Sequence, residues 1–375
     1  MNFGFTEEQE LLRNEVRKFL DQNASMEEVR KIMETSSGYD ERLWARMAEL
    51  GWVGLTMPEE HGGIDLDLVT LVVVLEETGR SLFPSPLIST VLAAKAIEQS
   101  GSEEQKARWL PGLADGSQIG TFALVEESDN LDPEGIALEG KADGEDVILS
   151  GAKLFVPDAG QADLFVVAFR SGSAAENVSL AVVDKGASGV HVEDYPVMDL
   201  TKRTGKLGLE GVRVGRQDIL GETGQAWPQI SWLIDCGATL VAAEMIGAAE
   251  AAVDITVKFA NERVQFGSPI GRFQAVKHPL ADMHVDVESF KSLAYYAAWT
   301  LDEGEAGAAL AASRAKAYAS ETFVRIGIDG VQLHGAVGFT WEYDIQMYLK
   351  RSKWARPTFG DSDYHYDRIA RLGGL

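Results

Sequence analysis

An arginine and an amide side chain beside an aromatic ring and a glycine turn can grip paired anionic oxygens, and this chain has one such stretch. It reads Ala260-Asn-Glu-Arg-Val-Gln-Phe-Gly-Ser-Pro-Ile-Gly-Arg272 and closes a long apolar helical pattern. It sets Arg263, Gln265 and the Phe266 ring just before a glycine turn, and a guanidinium fork can match two phosphate oxygens at once. In isolation Arg263 reads more simply as a solvated cation at a helix end. An echo follows at Val331-Gln-Leu-His-Gly-Ala-Val-Gly-Phe-Thr-Trp-Glu342. Other chemistry is sparse. No Gly-x-Gly-x-x-Gly follows a strand pattern, no phosphate-cradling loop is present, and no nucleophile elbow supports serine chemistry. His61, His191, His278, His284, His334 and His365 are scattered, and His278 and His284 fall on different faces of a helix, so no metal ligand set is expected.

The elements around these stretches change period twice. Residues 1–118 read as helices. Thr6-Glu-Glu-Gln9 is a capping box, followed by Leu12, Val16, Phe19 and Leu20 on one face. Further helices are expected over about 40–50, 66–78 and 86–100, and one capped by Ser102-Glu-Glu-Gln105 that ends before Pro111. From 119 the runs are short and rich in β-branched or aromatic residues, at 119–125, 146–150, 164–168 and 178–183. They predict an antiparallel β domain to about 222, with a loose hairpin tip at 170–177. From 223 the chain is helical again, as a four-helix bundle over 223–375. Residues 230–261 are apolar nearly all round, which predicts burial in a bundle or an oligomer interface. Helices at 275–303, 307–333 and 343–355 follow, then a short tail.

Composition narrows the class. With 34 basic against 58 acidic residues the net charge is −24, which argues against nucleic acid or an anionic membrane as partner. The single cysteine, Cys236, excludes an internal disulfide and a cysteine metal cluster. The chain shows no leader pattern and no eighteen-residue apolar run, so a cytoplasmic protein is expected.

Several ordered motifs then carry a resemblance. Phe5-Thr-Glu-Glu-Gln9, Leu50-Gly-Trp-Val-Gly-Leu55, Pro58-Glu-Glu-His-Gly-Gly63, Gly101-Ser-Glu-Glu-Gln-Lys106, Leu110-Pro-Gly-Leu-Ala-Asp-Gly116, Glu262-Arg-Val-Gln-Phe-Gly267 and Gln332-Leu-His-Gly335 span the full length. Together the chain resembles the acyl-CoA dehydrogenase family, and the form of the last motif resembles actinobacterial members acting on steroid side chains. The resemblance implies mixed α and β architecture (helical, β, helical) and α,β-dehydrogenation of an acyl-CoA thioester by a carboxylate base and FAD. It places Arg263 and Gln265 on the flavin pyrophosphate with Phe266 nearby. It places Gln332, His334, Gly335 and Ala336 at the adenosine end, across a subunit boundary, so the FAD is shared between chains.

The resemblance also exposes departures. Where the family shows Thr-Glu-Pro-x-x-Gly-Ser-Asp, this chain has Val125-Glu-Glu-Ser-Asp-Asn-Leu-Asp132. Where it shows aromatic-Ile-Thr beside the flavin ring, this chain has Phe155-Val-Pro157, and Pro157 offers no N–H and no hydroxyl. The usual base position is Phe359 or Gly360; the alternative one on the long helix is Gly237 or Ala238. Asp361 is the nearest substitute carboxylate, and Glu244 and Asp235 are more remote. The pattern implies the base-lacking subunit of an α2β2 heterotetramer. Its partners would be a homologous catalytic subunit, an acyl-CoA and an electron-transfer flavoprotein or similar acceptor. A self-sufficient homotetramer using FAD and Asp361, a non-redox acyl-CoA or partner-binding relative, and a relative using the flavin fold for different chemistry are the alternatives.

Overall fold

A computed structural model describes residues 5–374. Helices α1 (Glu7–Asn23), α2 (Met26–Met33), α3 (Glu41–Glu49), α4 (Leu68–Arg80), α5 (Leu87–Ser100) and α6 (Glu103–Ala114) come first. Strands β1 (Gly120–Ala123), β2 (Gly140–Asp143), β3 (Asp146–Pro157), β4 (Leu164–Arg170), β5 (Val178–Asp184), β6 (Val190–Asp194), β7 (Thr204–Val214) and β8 (Ile219–Leu220) follow. Then come α7 (Trp227–Glu262), the two-residue strands β9 (Val264–Gln265) and β10 (Ser268–Pro269), α8 (Gln274–Asp302), α9 (Ala308–His334), α10 (Ile345–Ala355) and α11 (Ser362–Gly373). The order is thus helical, antiparallel β, helical. No helix among the described residues is long and apolar enough to cross a membrane.

The chain forms two compact units. One comprises Met1–Lys31, Leu68–Phe83 and Ala238–Leu375. Its axis is the part of α7 from Ala238 on, buried without a break to Ala249, where alanine and aliphatic residues predominate around Thr239 and Glu244. Two glycines let α4 and α7 touch backbone to backbone. A Cβ at Gly79 would lie 2.0 Å from the Glu244 carbonyl oxygen, and one at Gly247 1.7 Å from that of Glu76. The acids on α4 are buried but paired. Arg13 on α1 meets Glu76 at 2.5 Å, and Arg17 clasps both oxygens of Glu77 at 2.7 and 2.8 Å. Burial nevertheless raises the Glu76 carboxyl above the usual range, with Arg13 opposing.

The other unit comprises Ile32–Asp67 and Pro84–Gly237. It holds two four-stranded sheets, in orders β1-β4-β5-β8 and β2-β3-β7-β6. Strands β4 and β5 are buried on both faces and read as continuous apolar runs. Their pairing runs from Leu164↔Asp184 to Arg170↔Val178, so the hairpin tip falls where the polar tract placed it. One pair departs from the antiparallel rule: β1 lies parallel to β4, with β2 and β3 passing through the other sheet between them.

Two expectations are corrected. Helix α6 does not stop before Pro111 but runs to Ala114. Proline removes a single helical bond, and the last turn is kept by Asp115 N donating to the Pro111 carbonyl and by burial of Leu110, Leu113 and Ala114. The C-terminal segment is not a simple tail, because α11 occupies it. Its buried face is Ser362, His365 and Arg368, so helical spacing is present but apolar periodicity is not. Helix α2 and strands β2, β6, β7 and β8 were also unmarked by pattern, since β2 and β6 are largely exposed and polar.

Candidate functional site

The Arg263 stretch is an elbow at the end of α7. Arg263 N closes the last helical turn on the Phe259 carbonyl, and Ile270 N returns to the Arg263 carbonyl, both at 2.9 Å. Between them β9 and β10 pair as a minimal hairpin, Gln265 opposite Ser268. Its tip residues Phe266 and Gly267 both have positive φ, 53° and 79°, as a two-residue hairpin of this hand requires. Glycine adopts that freely, whereas a phenylalanine there costs about 1–2 kcal/mol. The Phe266 ring is also 93% exposed, with the Phe273 ring edge-on to it at 6.0 Å. A residue that is strained and solvated at once gains from a surface outside its own chain. Arg263 and Gln265 are likewise exposed, and neither side chain bonds to another group among the described residues.

The end of α9 is tied to this elbow through an aromatic stack. His334 lies face to face with Phe259 at 4.3 Å and edge-on to Tyr343 at 6.1 Å. Its Nδ1 is 2.7 Å from the Gly330 carbonyl and therefore carries the proton. Burial lowers its pKa, the Gly330 bond opposing, so the ring is neutral near neutral pH. His334 is thus a packing residue that brings the two helix ends together. Gln332, Gly335 and Ala336 next to it are exposed. Gly335 has φ 66° and ψ −143°, a region almost closed to other residues, while a Cβ there would meet open space. Its glycine answers to the backbone, not to crowding.

The β unit treats its corresponding stretches differently. Val125 gives its carbonyl to Leu154 N at 2.8 Å. The Glu126 carboxylate accepts from Ala137 N and Leu138 N at 2.9–3.1 Å and from Lys153 Nζ at 2.5 Å. Lys153 is fully buried and also donates to the Leu124 carbonyl; burial pulls its pKa down to about 8 against the pull of Glu126. Leu131 is in the core, 6% exposed. Strand β3 slips register against β7 between Lys153 and Val156, and Phe155 sits in that slip with φ 50°, its ring 5.4 Å from Tyr195. The Pro157 carbonyl accepts from Thr121 Oγ at 2.7 Å. Pro157 itself has no N–H to donate.

Residues 358–362, where the family resemblance puts the base position, are held from beneath. Lys316 Nζ, fully buried, donates to the carbonyls of Arg356 and Gly360, both at 2.8 Å, and to Ser320 Oγ at 2.9 Å. Burial lowers its pKa to about 7, with Asp361 opposing. His365 Nε2 meets the Phe359 carbonyl at 2.9 Å, and burial pushes the imidazole down to about 3. Phe359 and Gly360 both have positive φ. Asp361 accepts from Tyr364 N at 2.9 Å as the N-cap of α11. On α7, Gly237 and Ala238 are buried, Glu244 pairs with the buried Arg351 at 3.1 Å, and Asp235 is 4% exposed. Pattern reading missed Lys316, His365 and Phe259. Each is a single residue whose role depends on a distant carbonyl or ring, and no local spacing announces that.

Comparison with known proteins covers the whole length. Models described as the acyl-CoA dehydrogenase N-terminal, middle and C-terminal domains match residues 6–117, 121–212 and 224–373. Acyl-CoA dehydrogenase IpdE2 of Mycolicibacterium smegmatis is 35% identical over 348 residues, 92% of this chain and 93% of that protein. A variant of the Tcur3481-Tcur3483 steroid ACAD is similar with a TM-score of 0.89 at 32% identity, over 98% of both chains. The ChsE4-ChsE5 complex from Mycobacterium tuberculosis gives 0.91 at 27% identity, over 100% of this chain and 99% of that one.

Proposed function

The chain belongs to the acyl-CoA dehydrogenase family, and within that family we propose that it is the base-lacking subunit of a heteromeric acyl-CoA dehydrogenase. In an α2β2 assembly its catalytic partner carries the base and the flavin-ring contacts. This chain contributes Arg263 and Gln265 to the pyrophosphate, Phe266 to the surface beside it, and Gln332, Gly335 and Ala336 to the adenosine end. His334 orients that end through its stack on Phe259. FAD bound there supplies the hydride acceptor for α,β-dehydrogenation of the acyl-CoA.

The observation that carries this reading is an asymmetry of exposure. The elbow presents an arginine, an amide and a strained aromatic ring that its own chain leaves unused. The usual base positions hold Phe359, Gly360, Gly237 and Ala238, none of which moves a proton, and Asp361 is engaged as a helix cap. A binding site built from two chains needs outward-facing ligands of this kind. Exposed Val264, Phe273, Val285 and Phe339 in the same unit add apolar surface suited to an obligate contact. The printed names of the steroid ACAD and of the ChsE4-ChsE5 complex support a steroid-derived acyl-CoA as substrate and a second chain as partner; an electron-transfer flavoprotein or similar carrier would serve as acceptor.

Asp361→Asn tests the reading on the assembled enzyme. Asparagine caps a helix about as well as aspartate, so the variant keeps the fold and removes the carboxylate. Turnover of the complex with its homologous partner is expected to stay within about twofold. A loss of about a hundredfold or more would instead make Asp361 the base and this chain self-sufficient.

A further inference from the structure

A group outside the flavin region has the composition of a metal site. Glu60 and His61 lie in the short turn Glu59–His61, locked at its start by Pro58, and Glu103 is the first residue of α6. One ligand atom from each of the three lies within 4.8 Å of the other two. Glu60 and Glu103 are exposed, but His61 is only 8% exposed. Its Nε2 is buried without a hydrogen-bond partner and faces Glu60 Oε1 at 3.8 Å, too far for a hydrogen bond. Native structures rarely leave a buried ring nitrogen unsatisfied, and such an atom calls for a ligand. No sequence pattern announces this group, since Glu103 is remote in the chain and no ligand spacing connects it to His61.

We propose that Glu60, His61 and Glu103 bind a divalent transition-metal ion, with zinc the best match. Imidazole suits zinc, copper, nickel and iron, whereas magnesium and calcium prefer oxygen donors alone. Donors at ~2.1 Å around a tetrahedral ion stand roughly 3.4 Å apart. The buried imidazole fixes one vertex, and the two solvated carboxylates need to draw in by about an ångström to complete the face. Two carboxylates balance the charge of the ion, and water fills the fourth position. Two features oppose the ion: Lys106 pairs with Glu103 Oε1 at 2.9 Å, and the N-terminus of α6 carries partial positive charge. The two carboxylate charges outweigh the helix end, and Lys106, held at an exposed pair, swings away at little cost. The ion would clamp residues 59–61 to the start of α6, within a single compact unit.

Calorimetric titration of the chelator-stripped full chain with Zn2+ tests the assignment, with Co2+ absorption as a second readout of ligand geometry. One equivalent is expected, together with a raised melting temperature. Glu60→Gln and Glu103→Gln should each weaken binding about tenfold or more, and His61→Asn should abolish it. Because His61 is buried and its replacement also alters packing, the two exposed glutamate variants decide the matter alone. The His278→Asn, His284→Asn double variant should bind as the parent does. No stoichiometric Zn2+ binding, or unchanged affinity in both glutamate variants, would overturn the proposal.

Discussion

The elbow at residues 263–273 and the β-unit stretches at 125–132 and 155–157 use their side chains in opposite ways. At the elbow, Arg263, Gln265 and Phe266 face solvent, and the backbone accepts a positive φ to hold the ring outward. In the β unit the polar groups are internally satisfied: Glu126 takes two backbone N–H groups and Lys153, and the Thr121 hydroxyl bonds the Pro157 carbonyl. The base-position turn behaves like the β unit, with Lys316, His365 and Asp361 all engaged within the chain. Exposure without partners marks surface available to another molecule; internal saturation marks structure.

The saturated side should respond most strongly to substitution. Glu126→Ala leaves Lys153 buried beside no carboxylate and frees two backbone N–H groups. Breaking a buried pair costs about 3–5 kcal/mol, and loss of the Lys153 proton, already eased by its depressed pKa, sets the lower end. Denaturant midpoints read this directly. A change below about 1 kcal/mol would show that the pair is not structural.

Acid sensitivity probes the base-position turn. The folded-state pKa of His365 lies near 3, below its ordinary value of 6.5. The unfolded chain therefore binds the proton and the folded chain does not. This group's stabilising effect is complete above 6.5 and is lost as pH falls from 6.5 towards 3, by up to about 1.4 kcal/mol per pH unit. His365→Gln removes the titration while keeping a donor for the Phe359 carbonyl, so the slope of stability against pH should flatten across that window. An unchanged slope would show that His365 is not the group that titrates.

Arg263→Ala tests the open side. Stability of the chain should change by no more than about 0.5 kcal/mol, as for other partnerless surface groups. Flavin affinity of the assembled complex should fall about tenfold or more, equivalent to ~1.4 kcal/mol. The contrast between open and saturated regions fails if stability falls while flavin content holds. A finer effect separates capping from chemistry: Asp361→Ala should cost about 1 kcal/mol of stability and Asp361→Asn only a few tenths.

Much of the fold was legible in the sequence where one physical rule acted alone. Both capping boxes form as read, Thr6 with Gln9 and Ser102 with Gln105, because the reciprocal bonds are local. The apolar run of α7 was legible as burial, which holds from Leu233 to Ala249 and gives way to exposed positions such as Val257 further on, and β4 and β5 were legible as strands. Helix α11 was not, because its inward face is Ser362, His365 and Arg368, with Arg368 donating to Ser313 on α9 and His365 meeting the Phe359 carbonyl. Nor was the parallel pairing of β1 with β4, which follows from where the chain crosses between sheets. In the site, the types at 263, 265, 266 and 332 were legible. Which of them have partners was not, since a partner is a fact of three dimensions. Phe155, Phe266 and Phe359 all hold positive φ, a strain that no residue-type pattern reveals.

If this chain lends ligands to a flavin that it does not hold by itself, the count of flavin per chain must show it. The chain should be purified alone and again after co-expression with its homologous partner, and FAD released by heat should be counted against protein. A colourless chain alone and one FAD for every pair of unlike chains in the complex are expected. A yellow chain with one FAD per protomer in the absence of any partner would contradict this.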